Sequence, residues 1–260
     1  MALYVYAITR DPVIPECTAV NQTRDFGAVR HGNICAVYTK VDEKEFGQES
    51  IDRRANDIEW IGAIGYRHQD VVSELMKKTA IVPLRAFTLF STEEALLNDL
   101  ATRGELLDRM LQRLDGKQEW TLRIEFDPAA WSRSLLSRVE VLRALAAEAD
   151  TASSGKAFLL RKKLEDEKKR ASREAEQQVV GEIERAVLDR LGCETIAETR
   201  QQREGAFPQI DVLINRDEES RLHELHEELT LRYGGEGVAL AVTGPWPPYT
   251  FAGAMKDEGQ

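Results

Sequence analysis

Val238-Ala239-Leu240-Ala241-Val242 leads through Thr243 into Gly244-Pro245-Trp246-Pro247-Pro248-Tyr249-Thr250-Phe251. The apolar run reads as a buried strand. Three prolines in the four residues from Pro245 to Pro248 cannot continue a central ladder, because proline has no N–H to donate and fixes φ. The chain is therefore expected to leave its sheet as an extended, polyproline-like segment. Trp246, Tyr249 and Phe251 ride on that segment as an aromatic strap over the core edge, with Trp246 mainly structural. A sheet that ends in such a strap needs helices to cover it, and the rest of the chain supplies them.

Upstream, Gln209–Asn215 reads as a strand and Asp217–Tyr233 as a helix using Leu222, Leu225 and Leu229, capped by Gly234-Gly235. Glu119–Asp127 alternates, with Trp120, Leu122, Ile124 and Phe126 on one face and Thr121, Arg123 and Glu125 on the other. That is the pattern of a half-buried strand. A helix over Ala129–Ala149 follows, then the Thr151–Lys156 loop and a helix-forming stretch from Lys156 to about Glu198. Within it Glu165–Arg170 is a run of six charges with favourable i,i+4 pairs. The stretch reads as a long helix that pairs with the one before it or stands partly proud of the domain.

In the first half, Leu3–Thr9 reads as a strand. Asp25–Arg30 and Ile34–Val41 form a hairpin around Arg30-His31-Gly32-Asn33, with Cys35, Val37, Phe26 and Val29 as core candidates. A helical region spans roughly Glu49–Lys78, with a bend near Gly62 and Gly65. His68 shares the face of Leu75 and reads as a core histidine. Thr79–Phe90 reads as a strand made irregular by Pro83, at an edge or bulge. Ser91-Thr92-Glu93-Glu94 caps a helix over Glu93–Leu114 whose centre Gly104 loosens. Asp115-Gly116 marks the boundary between residues 1–115 and 116–260.

Both halves are α+β, with helices on one face of a mainly antiparallel sheet. The simplest assignment is two ferredoxin-like domains, the second carrying an inserted long, coiled-coil-like helical arm over about 129–200.

With 260 residues and a net charge of -10, the chain is not built for nucleic acid or an anionic membrane. No apolar run approaches the ~20 residues of a membrane span, and the apolar start lacks a basic leader. Cys17, Cys35 and Cys193 are few and far apart, as for reduced cytosolic thiols. Thr151–Lys156 lacks the spacing of a phosphate-binding loop, and His223 and His226 stand at i,i+3 rather than the metalloprotease i,i+4. Neither a nucleophile–base grouping nor a metal cluster assembles locally, so no catalytic residue, cofactor or metal is assigned.

Five segments in order resemble the gas vesicle GvpF/GvpL family. They are Leu3–Ile8; Thr79–Phe90, with Pro83, Leu84, Arg85, Thr88 and Phe90 matching; Leu114–Trp120; Ser154–Arg161; and Gly244–Phe251, the most specific. Where the family often has Arg-Phe-Gly this chain has Arg85-Ala86-Phe87, so the glycine-dependent geometry of that strand is not implied here.

The resemblance implies a non-enzymatic assembly protein of two ferredoxin-like domains, acting at the gas vesicle and in the cytoplasm. Its implied partners are the hydrophobic shell protein GvpA and other vesicle accessory proteins. A soluble acidic partner would shield a shell subunit from aggregation before the shell closes; chaperone, nucleator and minor wall component are the three roles the resemblance leaves open. The competing readings are a small-ligand-binding regulatory protein and an unrecognised hydrolase. Candidate partner-binding residues are Pro83, Arg85, Phe87, Trp246 and Tyr249, with the Pro83 strand offered for β-augmentation. Arg85 is expected to pair internally, so that its removal costs stability more than binding.

Overall fold

The computed structural model describes residues 1–15, 26–198 and 207–254. Cys17 and the polar tail after Ala254 lie outside them. The chain is α+β and divides into two compact units, Met1–Glu119 with the chain from Pro245 onward, and Trp120–Gly244. The aromatic strap therefore belongs with the first unit, whereas the sequence pattern kept it with the second.

In the first unit β1 (Ala2–Thr9), β2 (Phe26–His31) and β3 (Ile34–Val41) precede α1 (Glu43–Phe46), α2 (Gln48–Arg54) and α3 (Ile58–Lys78). Then come β4 (Ile81–Pro83), β5 (Leu89–Phe90) and α4 (Glu93–Leu114). The sheet order is β2-β3-β1-β4, with β5 also pairing β1. Gly32, at φ 57°, makes the expected hairpin turn between His31 and Ile34. Every residue of β1 is buried, so helices cover both faces of this sheet rather than one. On one face Tyr4, Tyr6, Val37 and Val41 pack with Ile64, Val71, Val72 and Leu75 of α3. On the other, Tyr38 donates to Glu93 of α4 at 2.7 Å. Burial, reinforced by that carboxylate, pushes the Tyr38 phenol up to about 12.

α3 runs unbroken through Gly62 and Gly65; the break falls earlier, at Ala55–Asp57, where Asp57 accepts the Trp60 N–H and caps the helix. Thr92 caps α4 in the same way, through Ala95 N–H, and Gly104 leaves α4 continuous.

The second unit holds β6 (Lys117–Phe126, from Trp120 on), α5 (Pro128–Arg138), α6 (Glu140–Thr151), α7 (Ser154–Leu191) and β7 (Glu194–Glu198). β8 (Gln209–Asn215), a 3-10 turn at Arg216–Glu218, α8 (Glu219–Gly234) and β9 (Val238–Trp246) complete it up to Gly244. Its sheet order is β7-β8-β6-β9. The core unites Trp120, Leu122 and Ile124 with Trp131, Ile183, Val187, Ile210, Val212, Leu225 and Val238.

Two expected helices end early. The Ala129–Ala149 helix is divided at Val139, which sits at φ -91°, ψ 109°, an extended conformation that suits a β-branched side chain. The 154–191 helix stops where Gly192 takes the left-handed conformation at φ 59° and donates to Leu188 O. The chain then enters β7, so its helices lie within 128–191 rather than reaching 200.

The strand before the prolines also runs further than expected. β9 lies at the edge of its sheet, where a missing N–H faces no neighbour, so Pro245 and Trp246 remain in it. Only Pro247 and Pro248 separate it from a short helix, α9 (Tyr249–Ala254).

Candidate functional site

β1 is paired on one side by β4 (Ala7↔Pro83) and again by β5 (Tyr4↔Leu89). The five residues between must leave the β1 edge and return to it. Leu84 N–H bonds Tyr6 O at 2.9 Å and Thr88 O accepts Val5 N–H at 2.9 Å, which pins both feet of the excursion. Inside it Thr88 donates its N–H and its hydroxyl to Arg85 O. Phe87 sits at φ 65°, the one non-glycine positive φ among the described residues. A phenylalanine thus holds a left-handed backbone here, at a cost of roughly 1–2 kcal/mol.

A buried relay fixes that turn. Phe87 N–H donates to Tyr4 Oη at 3.1 Å, and Tyr4 Oη meets His68 Nδ1 at 3.0 Å. His68 Nε2 meets the Leu84 carbonyl at 2.8 Å. A carbonyl only accepts, so Nε2 carries the proton and Nδ1 accepts from Tyr4. Burial holds His68 below its ordinary pKa, the Leu84 bond acting in the opposite sense. The imidazole has both nitrogens occupied and serves the backbone, as a core histidine does. Aromatic rings surround the turn: Phe87 lies 5.5 Å from Trp60 and Trp60 6.2 Å from Phe46, with Arg54 over the indole at 5.2 Å.

The strap completes this surface. α9 packs against β4, and Tyr249 packs on the Tyr4–Tyr6 cluster. Burial pushes the Tyr249 phenol up, helped by the neighbouring Tyr4. Glu119, itself buried, accepts Thr250 N–H at 3.1 Å and Thr250 Oγ1–H at 2.8 Å.

Of the five candidate residues, Phe87 and Tyr249 share one aromatic cluster, and Pro83 is a buried residue of the strand against α9. Arg85 is exposed and has no ion-pair partner among the described residues. The expected internal pairing is therefore absent among the described residues, and the exposed Arg85 opens the turn that Thr88 closes. Trp246 is 43% exposed at the end of β9, whereas Phe251 is 1% exposed, so Phe251 is the ring that seals the core. β4 is three residues long, buried throughout and packed by α9, which leaves little backbone for an added strand.

Sequence reasoning missed the roles of Tyr4 and Trp60. The signal available was the pair of tyrosines, Tyr4 and Tyr6, on one face of an otherwise apolar strand. The crevice beside them, lined by Tyr4, Tyr6, Phe46, Ile64, Arg67 and His68, has about 10 Å³ of free space, no more than one water needs. Elsewhere, His223 stacks edge-on to Trp120 and His226 Nε2 meets Leu240 O at 3.0 Å. Among the described residues no three His, Cys, Asp or Glu gather as a metal site, and no helix is long and apolar enough to cross a membrane.

The fold and this surface define a two-sheet α+β protein with a hydrogen-bonded turn that opens on an exposed arginine, beside the strap packed on β4. The chain matches the model of the gas vesicle synthesis protein GvpL/GvpF family over residues 2–253, and it belongs to that family. It is 28% identical to gas vesicle protein L of Streptomyces sp. (strain CB03234), covering 98% of this chain and 94% of that relative. Gas vesicle protein L2 of Halobacterium salinarum (strain ATCC 700922 / JCM 11081 / NRC-1) is 27% identical over 76% of this chain and 74% of its own length. The crystal structure of the gas vesicle protein GvpF from Anabaena sp. PCC7120 superposes with a TM-score of 0.69, covering 96% of this chain and 98% of that one. At 17% identity, this last likeness is one of fold.

Proposed function

We propose that the protein is a non-enzymatic accessory factor of gas vesicle formation, at the vesicle and in the cytoplasm, that binds the small hydrophobic shell subunit GvpA and assists or nucleates assembly. The observation that carries this reading is the family match along residues 2–253. The exposed Arg85 on a braced turn supports a binding role, since a fixed guanidinium pairs a carboxylate without further ordering. The second unit's order of strand, helices, strand, strand, helix, strand supports a ferredoxin-like reading of it. A coiled-coil reading of the arm is limited to the pairing of α6 with α7.

Co-expression with the shell protein and pull-down tests the proposal. Capture by the wild type, loss of capture by Arg85→Glu and an unchanged melting temperature are expected. Failure of the wild type to capture the shell protein, with vesicles still forming after deletion of the gene, would overturn it.

A further inference from the structure

Two exposed patches of opposite character lie far apart on the second unit. The first is on the opening turns of α7, where α6 folds back on it: Lys156 pairs with Glu148 at 2.8 Å, and Ala149 and Ala157 are buried. Here Phe158 is 69% and Leu159 66% exposed, and Arg161, Lys162 and Lys163 are exposed among them. Arg161 and Lys162 have no ion-pair partner among the described residues. At helical spacing Lys162 lies between the two apolar side chains, so the end of the hairpin is both greasy and basic. Of the carboxylates beside it, Glu148 is taken up by Lys156 and also feels Lys163, and Glu165 pairs with Lys168.

The second patch is the outer face of α8. Glu224, Glu227, Glu228 and Leu231 stand at i, i+3, i+4 and i+7, hence on one side of the helix. All are exposed, Leu231 at 85%. Only Glu228 has a neighbouring cation, Arg190 at 3.8 Å; Glu224 and Glu227 have none among the described residues. One patch offers cations around two apolar groups, the other carboxylates around one.

They cannot meet within one molecule. α8 is tied to the far end of α7, by Tyr233 and Arg232 to Glu182 and by Glu228 to Arg190. From Arg190 back to Lys162 the helix rises about 42 Å. We propose that the protein associates head to tail with a second copy, the basic apolar end of the α6–α7 hairpin on one copy docking on the acidic face of α8 on the next. The contact is heterologous, so it propagates into a ring or an open chain. Self-repulsion of the acidic molecules disfavours other orientations, and the local complementarity selects this one. The proposal does not depend on the identity of the shell-subunit partner.

Sedimentation of the full-length protein tests it. The mass is expected to rise with protein concentration at about 50 mM salt and to fall back toward the monomer at about 500 mM. The double variant Arg161→Glu/Lys162→Glu and the double variant Glu224→Lys/Glu227→Lys should each lower the association constant by about tenfold or more. Phe158→Ser/Leu159→Ser should weaken it without changing charge. Circular dichroism checks that these exposed substitutions keep the helices. Mixing the two charge variants equimolar makes both mixed contacts complementary, native hairpin on native α8 and charge-reversed hairpin on charge-reversed α8, so association should return toward the wild-type level. A wild type monomeric at every concentration and both salt levels would overturn the proposal. So would association that the α8 variant leaves intact, the outcome of a hairpin-to-hairpin contact or of binding through another surface.

Discussion

Phe87 holds a backbone conformation that an L side chain adopts at a cost, at φ 65°. What retains it is the ring's packing on Trp60 and Tyr4, together with its N–H bond to Tyr4 Oη. Substitutions separate those terms. Phe87→Ala removes the packing and keeps the strain, so it should destabilise by about 2–3 kcal/mol. Phe87→Gly also loses the ring but relieves the φ penalty, and should be about 1 kcal/mol more stable than the alanine variant. Urea denaturation midpoints decide it; an alanine variant as stable as the glycine one would mean the turn relaxes out of the left-handed region. His68 gives a second, independent test. Its folded pKa lies below its unfolded value of 6.5, so the native state favours the neutral ring. Its contribution is complete above the unfolded pKa and is lost as the pH falls below it. Unfolding free energy should therefore drop from about pH 7 to about pH 5, more steeply than in His68→Gln. Equal slopes would show that the imidazole protonates in place.

At the scale of elements, α9 is only six residues long and too short to persist on propensity. Glu119 holds its first turn, accepting both the N–H and the hydroxyl of Thr250. Thr250→Val removes the hydroxyl bond and leaves a buried carboxylate one partner short, which should cost about 1–3 kcal/mol. Hydrogen exchange should rise first in Tyr249–Ala254; loss of protection elsewhere before α9 would refute this order. No periodicity announces such a contact, because Glu119 and Thr250 stand 131 residues apart. What periodicity does encode was readable: the alternation of Trp120, Leu122 and Ile124 in β6, the apolar stripe and Thr92 cap of α4, and the Gly32 hairpin. The division of α5 from α6 at Val139 was not, since the apolar stripe continues across it. Nor was β7, whose residues follow a helix of high charge and are drawn into a strand by pairing with β8. The surface around Arg85 was half legible. Its residues could be named, but whether the guanidinium is paired or exposed is settled by the route of the backbone from Leu84 to Thr88.

At the scale of the whole molecule, the strap changes which unit the end of the chain stabilises. Pro247, Pro248, Phe251 and Ala252 are buried, and they belong to the unit built on β1. Burying Phe251 alone is worth about 1.5–3 kcal/mol. With its neighbours and the Glu119 contact, the segment supplies several kcal/mol, comparable with the 5–15 kcal/mol margin of a typical domain. Truncation before Pro245 should therefore loosen the first unit, although the deleted residues follow the last strand of the second. Hydrogen exchange of the truncated protein should show lost protection in β1, α3 and β4, with β8 and α8 retaining theirs. The opposite pattern would assign the strap to the second sheet. If the first unit does loosen, the Phe87 turn should lose its bracing with it, and Arg85 would be displayed on a mobile segment. Capture of the shell subunit by the truncated protein should then fall even though Arg85 itself is intact, because ordering the turn would have to accompany binding.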